Sequence, residues 1–456
     1  MKAKLSIVAA AACMLAMSAQ AADDLASAFK EGKLDGRVRA QYFNTDWDNN
    51  GATGINGSDA NGLAIGGSLI YKTAPLYGFS AGAGLYTTQN PAGLTDANDG
   101  AKATTSKDLF SRDPSVPYGE GYAVLAEAYL QYDIAKTKVK GGHFIMNNPW
   151  ITPNDTKMIP VAVEGYEAIS NDIANTTIQL DYADKLKERG MTYFGSMSDT
   201  GDTPDAIRAH YAGGANGGAP DVAILGLKNK SIKGLELQAW GLHWADLIDQ
   251  GLLEANYSFE VGGLTLGLGG RYIQQVDKGA GTLINPMGIA KNGDSDNSVD
   301  SHLWAVRTVA TYSAAKLLLA MSQTSDKGDM IAPWRGFLTQ DYTRSMTQTD
   351  WNAGTKSYKA QFDYDFNALV SGLSALVSYS YYDRDESKKP YQSMTDRAFQ
   401  NGDTHQTNLD IMYKLSGSFK GTELKARLMD QNNATTTLYT KDTSNREMRL
   451  EANYRF

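Results

Sequence analysis

Apolar and polar residues alternate along this chain in runs of about ten, separated by short turns or by long polar stretches. In the last run, Met448, Leu450, Ala452, Tyr454 and Phe456 share one parity, while Glu447, Arg449, Glu451, Asn453 and Arg455 take the other. That is the period of a strand with one apolar and one wet face. The first run, Leu34 to Phe43, reads the same way, with Leu34, Gly36, Val38, Ala40 and Tyr42 set against Asp35, Arg37, Arg39 and Gln41. Between them the pattern predicts strands at Leu63–Tyr71, Phe79–Thr87, Val124–Tyr132, Val139–Phe144, Thr176–Ala183, Gly190–Met197, Val222–Lys228, Gly234–Leu242, Leu253–Phe259, Leu264–Gln274, His302–Tyr312, Lys316–Gln323, Ser357–Phe366, Leu373–Tyr382, Thr407–Leu415 and Glu423–Asp430, for a total of about eighteen.

The long connections fall near 44–62, 88–122, 145–174, 197–220, 275–300, 324–355, 383–404 and 431–445, with a short one near Ala245–Gln250. They alternate with tight turns. A transmembrane antiparallel up-and-down β-barrel requires this, because its two rims face different compartments. A soluble sandwich has no reason to segregate loop lengths. Tyr and Phe gather at strand ends, where an interfacial girdle would sit. The expected fold is therefore all-β, a single closed barrel of about eighteen strands with both termini on the short-turn rim.

The N-terminus carries Lys2 and Lys4, an apolar run from Leu5 to Met17, and small residues ending at Ala21. This reads as a cleaved secretory signal over 1–21, which leaves one barrel domain over 22–456. About thirteen apolar residues fall short of the roughly twenty that a spanning helix needs. The only cysteine, Cys13, would leave with the signal, and with it any disulfide, thiol nucleophile or cysteine metal site. A formal charge of −8 argues against nucleic acid as a partner. It does not separate a periplasmic enzyme from a barrel.

Because a charge on the lipid face costs roughly 2–4 kcal/mol at the bilayer midplane, charges should sort to the lumen. Turning the apolar parity outward sends Arg37, Arg39, Arg271, Arg307, Lys359, Lys425, Arg427, Arg449 and Arg455 inward, with Asp35, Glu127, Asp181, Glu236, Asp363, Glu423 and Glu451. Closure sets the first strand beside the last, so Arg37, Arg39, Lys425, Arg427, Arg449 and Arg455 make a basic stripe. Two readings stay open at this point. The charges either keep the lumen wet by pairing with each other, or form a path for anionic solutes.

The stretch from Gly142 to Tyr166 differs from the other connections. It holds Phe144, Ile145, Met146, Trp150, Ile151, Met158 and Ile159 among prolines 149, 153 and 160. Such residues need burial, and the barrel interior offers it, so this third loop is expected to fold inward and narrow the pore. Its Gly-Gly-His-Phe144 strand end, Asn-Asp-Thr-Lys-Met-Ile-Pro160 and Glu-Gly-Tyr166 resemble the third-loop region of the OprD family of substrate-specific porins. The resemblance spans most of the chain. It implies an eighteen-stranded barrel whose constriction would use Asn147, Asn148, Trp150, Asn154, Asp155 and Lys157. It also implies a lumenal arginine ladder of Arg37, Arg39, Arg427 and Arg449, with Arg271 and Arg307 on the nearby wall, and passage of small, mostly carboxylate-bearing nutrients. The ending Tyr454-Arg-Phe456 resembles the insertion signal of Gram-negative outer-membrane barrels, which implies recognition by the barrel-assembly machinery.

No metalloprotease helix, P-loop, nucleophile elbow or spaced Cys/His set appears, and the five histidines are scattered. The expectation is a non-enzymatic outer-membrane porin without a cofactor or metal, passing small hydrophilic solutes and ions and embedded in outer-membrane lipid and lipopolysaccharide. A homotrimer is one assembly open to it. The rival readings are a general diffusion porin, and a barrel whose surface loops act as an adhesin.

Overall fold

The computed structural model describes residues 22–48, 59–91, 108–111, 120–200, 203–212, 218–284, 298–331, 333–334, 342–347, 351–385, 402–435 and 444–456. The predicted signal, 1–21, lies outside them, as do parts of most of the long connections.

The strands are β1 (Lys33–Trp47), β2 (Ala60–Lys72), β3 (Phe79–Gln89), β4 (Tyr122–Ile134), β5 (Thr137–Phe144), β6 (Ala162–Ser170), β7 (Thr176–Lys187), β8 (Gly195–Ser196), β9 (Val222–Asn229), β10 (Leu235–Trp244), β11 (Ile248–Val261), β12 (Leu264–Asp277), β13 (Ser301–Tyr312), β14 (Ala315–Thr324), β15 (Lys356–Asp365), β16 (Leu373–Asp383), β17 (Thr404–Lys414), β18 (Thr422–Asn433) and β19 (Asn445–Arg455). β8 is a two-residue strand held against the end of β7. The other eighteen pair antiparallel with their neighbours in chain order, β7 passing directly to β9, and β1 pairs with both β2 and β19. The sheet closes on itself. In hydrocarbon every backbone N–H and C=O must find a partner within the protein, and among sheets only one without edges provides that.

Tight turns link β4 to β5, β11 to β12 and β13 to β14, while the long connections lie on the other rim. In the turn after β11, Gly262 and Gly263 both take positive φ, 57° and 82°, a two-residue hairpin whose twist matches its strands. Outward positions carry the apolar band, with Leu130 at 66% and Leu253 at 61% exposure among the most open. Exposed aromatics mark its turn-side edge (Tyr77, Phe79, Tyr312, Tyr454) and its loop-side edge (Tyr166, Tyr272, Tyr358, Tyr379).

Two expectations are corrected. The stretch read as irregular through Ala174 contains β6, and Gly190–Met197 is loop apart from β8. Ahead of β6, Val161, Ala162 and Val163 are all buried, so the apolar loop runs into the strand and erases the alternation at its start. In 190–197 the opposite holds. Met191, Tyr193 and Met197 share one parity, and Met191 and Met197 are buried, giving a loop the spacing of a strand. The two errors offset, so the expected and observed numbers of spanning strands agree.

The connections are also less uniformly polar in their packing than their composition suggests. On the loop side, Trp150, Trp240, Trp244, Trp334, Trp351, Leu247, Ile284 and Ile331 join one buried apolar cluster. Trp244 and Trp334 meet at 5.0 Å, and their indole N–H groups donate to the carbonyls of Pro220 and Met197, both at 2.9 Å. Buried tryptophans keep their one polar atom satisfied in this way.

Candidate functional site

The inward face of β1 presents Arg37, Arg39, Gln41 and Phe43, all buried. By register Phe43 lies opposite Arg449 on β19, Arg449 opposite Arg427 on β18, and Arg427 opposite Asp410 on β17. Lys425 is one inward position along β18, opposite Glu451. Arg37, Arg39, Lys425, Arg427 and Arg449 therefore lie on the adjacent strands β18, β19 and β1.

Arg271 on β12 and Arg307 on β13 do not join them, because β14 to β17 intervene. This corrects the expectation of a nearby wall. Those two guanidiniums share a different partner: the ring of Tyr342 lies 4.7 Å from Arg271 and 4.2 Å from Arg307. The Tyr342 hydroxyl donates to Glu254 at 2.9 Å, and Arg307 donates to Asn256 at 2.7 Å. Tyr342 comes from the connection after β14, where no periodicity marks it.

Most of the arginines are paired. Arg271 meets Glu254 at 2.6 Å, Arg427 meets Asp410 at 2.8 Å, and Arg449 binds Glu447. Arg37 and Arg39 both bind Asp155 of the third loop, and Arg39 also approaches Glu451 at 3.5 Å. Arg307 and Lys425 have no carboxylate within ion-pair distance among the described residues. Partners such as Glu447, Asp410 and Glu254 occupy inward parities of strands already recognised, so their position was readable. Lys140 and Glu167, an ion pair at 3.1 Å on β5 and β6, were missed, Glu167 because its strand was.

The third loop, 145–161, is built from local turns. Pro149 disfavours helix at Asn148, whose side-chain oxygen accepts from the N–H groups of Trp150 and Ile151 at 2.9 and 2.8 Å. That Asx turn aims Trp150, 1% exposed, so that its indole N–H donates to Gln250 on β11. Asn148 also donates to Asp181 on β7 at 2.9 Å, and the Asn147 carbonyl accepts from Gln179 at 3.2 Å. Asn154 turns the chain at φ 40°. Asp155 then meets the two arginines, Gln41 donates to the Thr156 carbonyl at 2.9 Å, and the Lys157 ammonium sits 4.5 Å from the Phe43 ring. One loop thus contacts inward side chains of β1, β7 and β11. Gln250 carries the link onward, donating to the Ile331 carbonyl of the connection after β14 at 2.7 Å.

A closed antiparallel barrel of eighteen spanning strands matches a known group of proteins. The profile described as outer membrane porin, OprD family, matches residues 28–456. The chain belongs to the OprD family of outer-membrane porins. Its fold is similar to that of OpdK from Pseudomonas aeruginosa, solved with vanillate, at TM-score 0.73 and 15% identity over 94% of this chain and 99% of that one. OccK9 (OpdG) of the same species superposes at TM-score 0.75 with 19% identity, again over 94% and 99%. OccAB3 of Acinetobacter baumannii does so at 0.73 with 17% identity and the same coverage. No curated protein matches. As a member of this family the chain is a porin of the Gram-negative outer membrane that passes small solutes.

Proposed function

We propose that this porin favours small anionic solutes, carboxylates above all, and that the third loop is its constriction. The observation that carries the reading is Asp155, whose carboxylate lies on the Arg37 and Arg39 guanidiniums in the position a solute carboxylate would take. Arg427, Arg449 and Lys425 continue the same wall, so a carboxylate could pass between cations at similar cost. At about 4 Å and an effective dielectric near 20, each such contact is worth roughly 4 kcal/mol before desolvation. Several similar steps hold a solute without trapping it. Asn147, Asn148, Trp150, Asn154 and Lys157 would set the width of the passage.

A second reading has its own support. Arg37, Arg39, Arg271, Arg427 and Arg449 each meet a carboxylate that offsets their charge, which suits a weakly selective diffusion pore. Single-channel recording in a planar bilayer separates the two. Anion preference in the reversal potential under a salt gradient, with current block by small carboxylates that weakens in Arg37→Ala/Arg449→Ala, supports the first. Cation preference or none, without block, supports the second.

The terminal Tyr454 and Phe456 rings stack at 5.8 Å on the outer turn-side edge. We assign them to recognition by the barrel-assembly machinery, which a shortened C-terminus would abolish.

A further inference from the structure

His143, His243, His302 and His405, scattered in sequence, share one structural address. Each is one residue in from the loop-side end of its strand, on β5, β10, β13 and β17, and each has the outward parity. Two of them belong to a repeated arrangement. On β5, β6 and β7, Glu164 bridges His143 at 3.0 Å through one oxygen and Lys185 at 3.1 Å through the other. On β10, β11 and the residue following β12, Asp249 bridges His243 at 2.6 Å and Lys278 at 3.3 Å in the same manner. In both, one carboxylate is used up between an imidazole and an ammonium.

Charged groups on the lipid face cost several kcal/mol at the midplane but about 0–1 near the interface, so these triads belong at the outer water boundary. Tyr166 and Tyr182, whose rings lie 6.2 Å apart on the same outer wall, mark that boundary beside the first triad. An ammonium has three donors and no acceptor. Lys185 and Lys278 keep side-chain exposures of 43% and 44% after meeting their carboxylates. What faces them there is the head-group layer of the outer leaflet.

We propose that each triad binds a phosphate group of an outer-leaflet glycolipid, the lysine ammonium donating to its oxygens while the carboxylate, held in place by the imidazole N–H, fixes the direction of the ammonium. The two sites differ in strength. Asp184 also lies 4.0 Å from Lys185, and Asp221, which accepts from Tyr182, adds a further negative charge. The triad with Lys278 is therefore the tighter one. Both triads sit on the outward parity, away from the lumenal face.

The test is lipid retention by the full chain. The porin is exchanged into neutral detergent with lipid A carrying its phosphates, with dephosphorylated lipid A, or with inorganic phosphate as competitor, and bound lipid is counted by native mass spectrometry. The expected result is retention of the phosphorylated form alone. Lys278→Gln should lower it about tenfold, the loss of one charge-assisted contact, and Lys185→Gln by less. His243→Asn should act in the same direction as Lys278→Gln, and conductance should stay unchanged in each variant as the control for folding. Equal retention of both lipids, full displacement by millimolar inorganic phosphate, or unchanged retention in the Lys278→Gln/Lys185→Gln double variant would overturn the assignment.

Discussion

Arg39 Nη1 lies 2.9 Å from Oδ1 of Asp155, joining the first strand of the barrel wall to a loop more than a hundred residues later. Arg37 binds the same carboxylate, so one acidic side chain holds two guanidiniums that are 9% and 3% exposed in their side chains.

Asp155→Asn should therefore uncover positive charge rather than merely loosen the loop. The reversal potential under a salt gradient is expected to move toward anions, with the permeability ratio changing several-fold and block by small carboxylates strengthened. A shift toward cations would mean that Asp155 itself dominates the passing ions.

Trp150→Ala removes a buried indole and its bond to Gln250. Large-to-small changes of this kind cost about 3–5 kcal/mol where the site does not collapse. The cost falls on the loop, because the barrel ladder does not contain Trp150. Single-channel traces should show a larger mean conductance and more frequent flicker, while heat-modifiable gel migration stays as in the parent.

Tyr342 separates two roles that its neighbours combine. Tyr342→Phe keeps the ring over Arg271 and Arg307 and loses only the hydroxyl's bonds to Glu254 and Asn256, so conductance and selectivity should change little. Tyr342→Ala removes the ring from both guanidiniums and should raise conductance and anion permeability together. Identical traces for the parent and the alanine variant would show that the ring does not border the ion path.

At the seam, Gly36 exchanges backbone hydrogen bonds with Phe456, its N–H reaching the Phe456 carbonyl at 2.9 Å and its own carbonyl accepting at 3.1 Å. A Cβ at Gly36 would stand 2.2 Å from the Phe456 ring. Gly36→Leu should displace that ring and lower the folded, heat-modifiable fraction at least several-fold, whereas Gly36→Ala, needing a smaller shift of a side chain at the chain end, should lower it less. A leucine variant that folds like the parent would remove the ring from the assembly step.

Strand positions were legible because lipid imposes alternation on every spanning segment, and the same alternation sets the basic side chains of β1, β18 and β19 on one face. Arg37, Arg39, Lys425, Arg427 and Arg449 could be assigned inward from parity, and set side by side from closure alone. What parity cannot say is which carboxylate each cation meets. The pairing of Arg37 and Arg39 with Asp155 depends on the path of a loop, and the Tyr342 contact on another, through bonds such as Trp150 to Gln250 that link distant segments. The loss of β6 has a local cause. Val161 and Val163 are buried in a cluster with Phe144, Met146, Trp150 and Ile151, so both parities there are apolar. The histidines looked scattered because strand ends recur around a barrel at intervals set by loop length rather than by sequence period.

The antiparallel match of β1 with β19, from Arg37 opposite Arg455 to Trp47 opposite Asn445, also dictates an order of events. The first strand to leave the ribosome must wait for the last before its second edge is covered. Any chain cut short of β19 keeps two raw edges, whatever the quality of the hairpins between them. Completion of synthesis is thus a condition of stable residence in the membrane, and a truncated copy is left to proteolysis or aggregation instead of standing as a leaky pore.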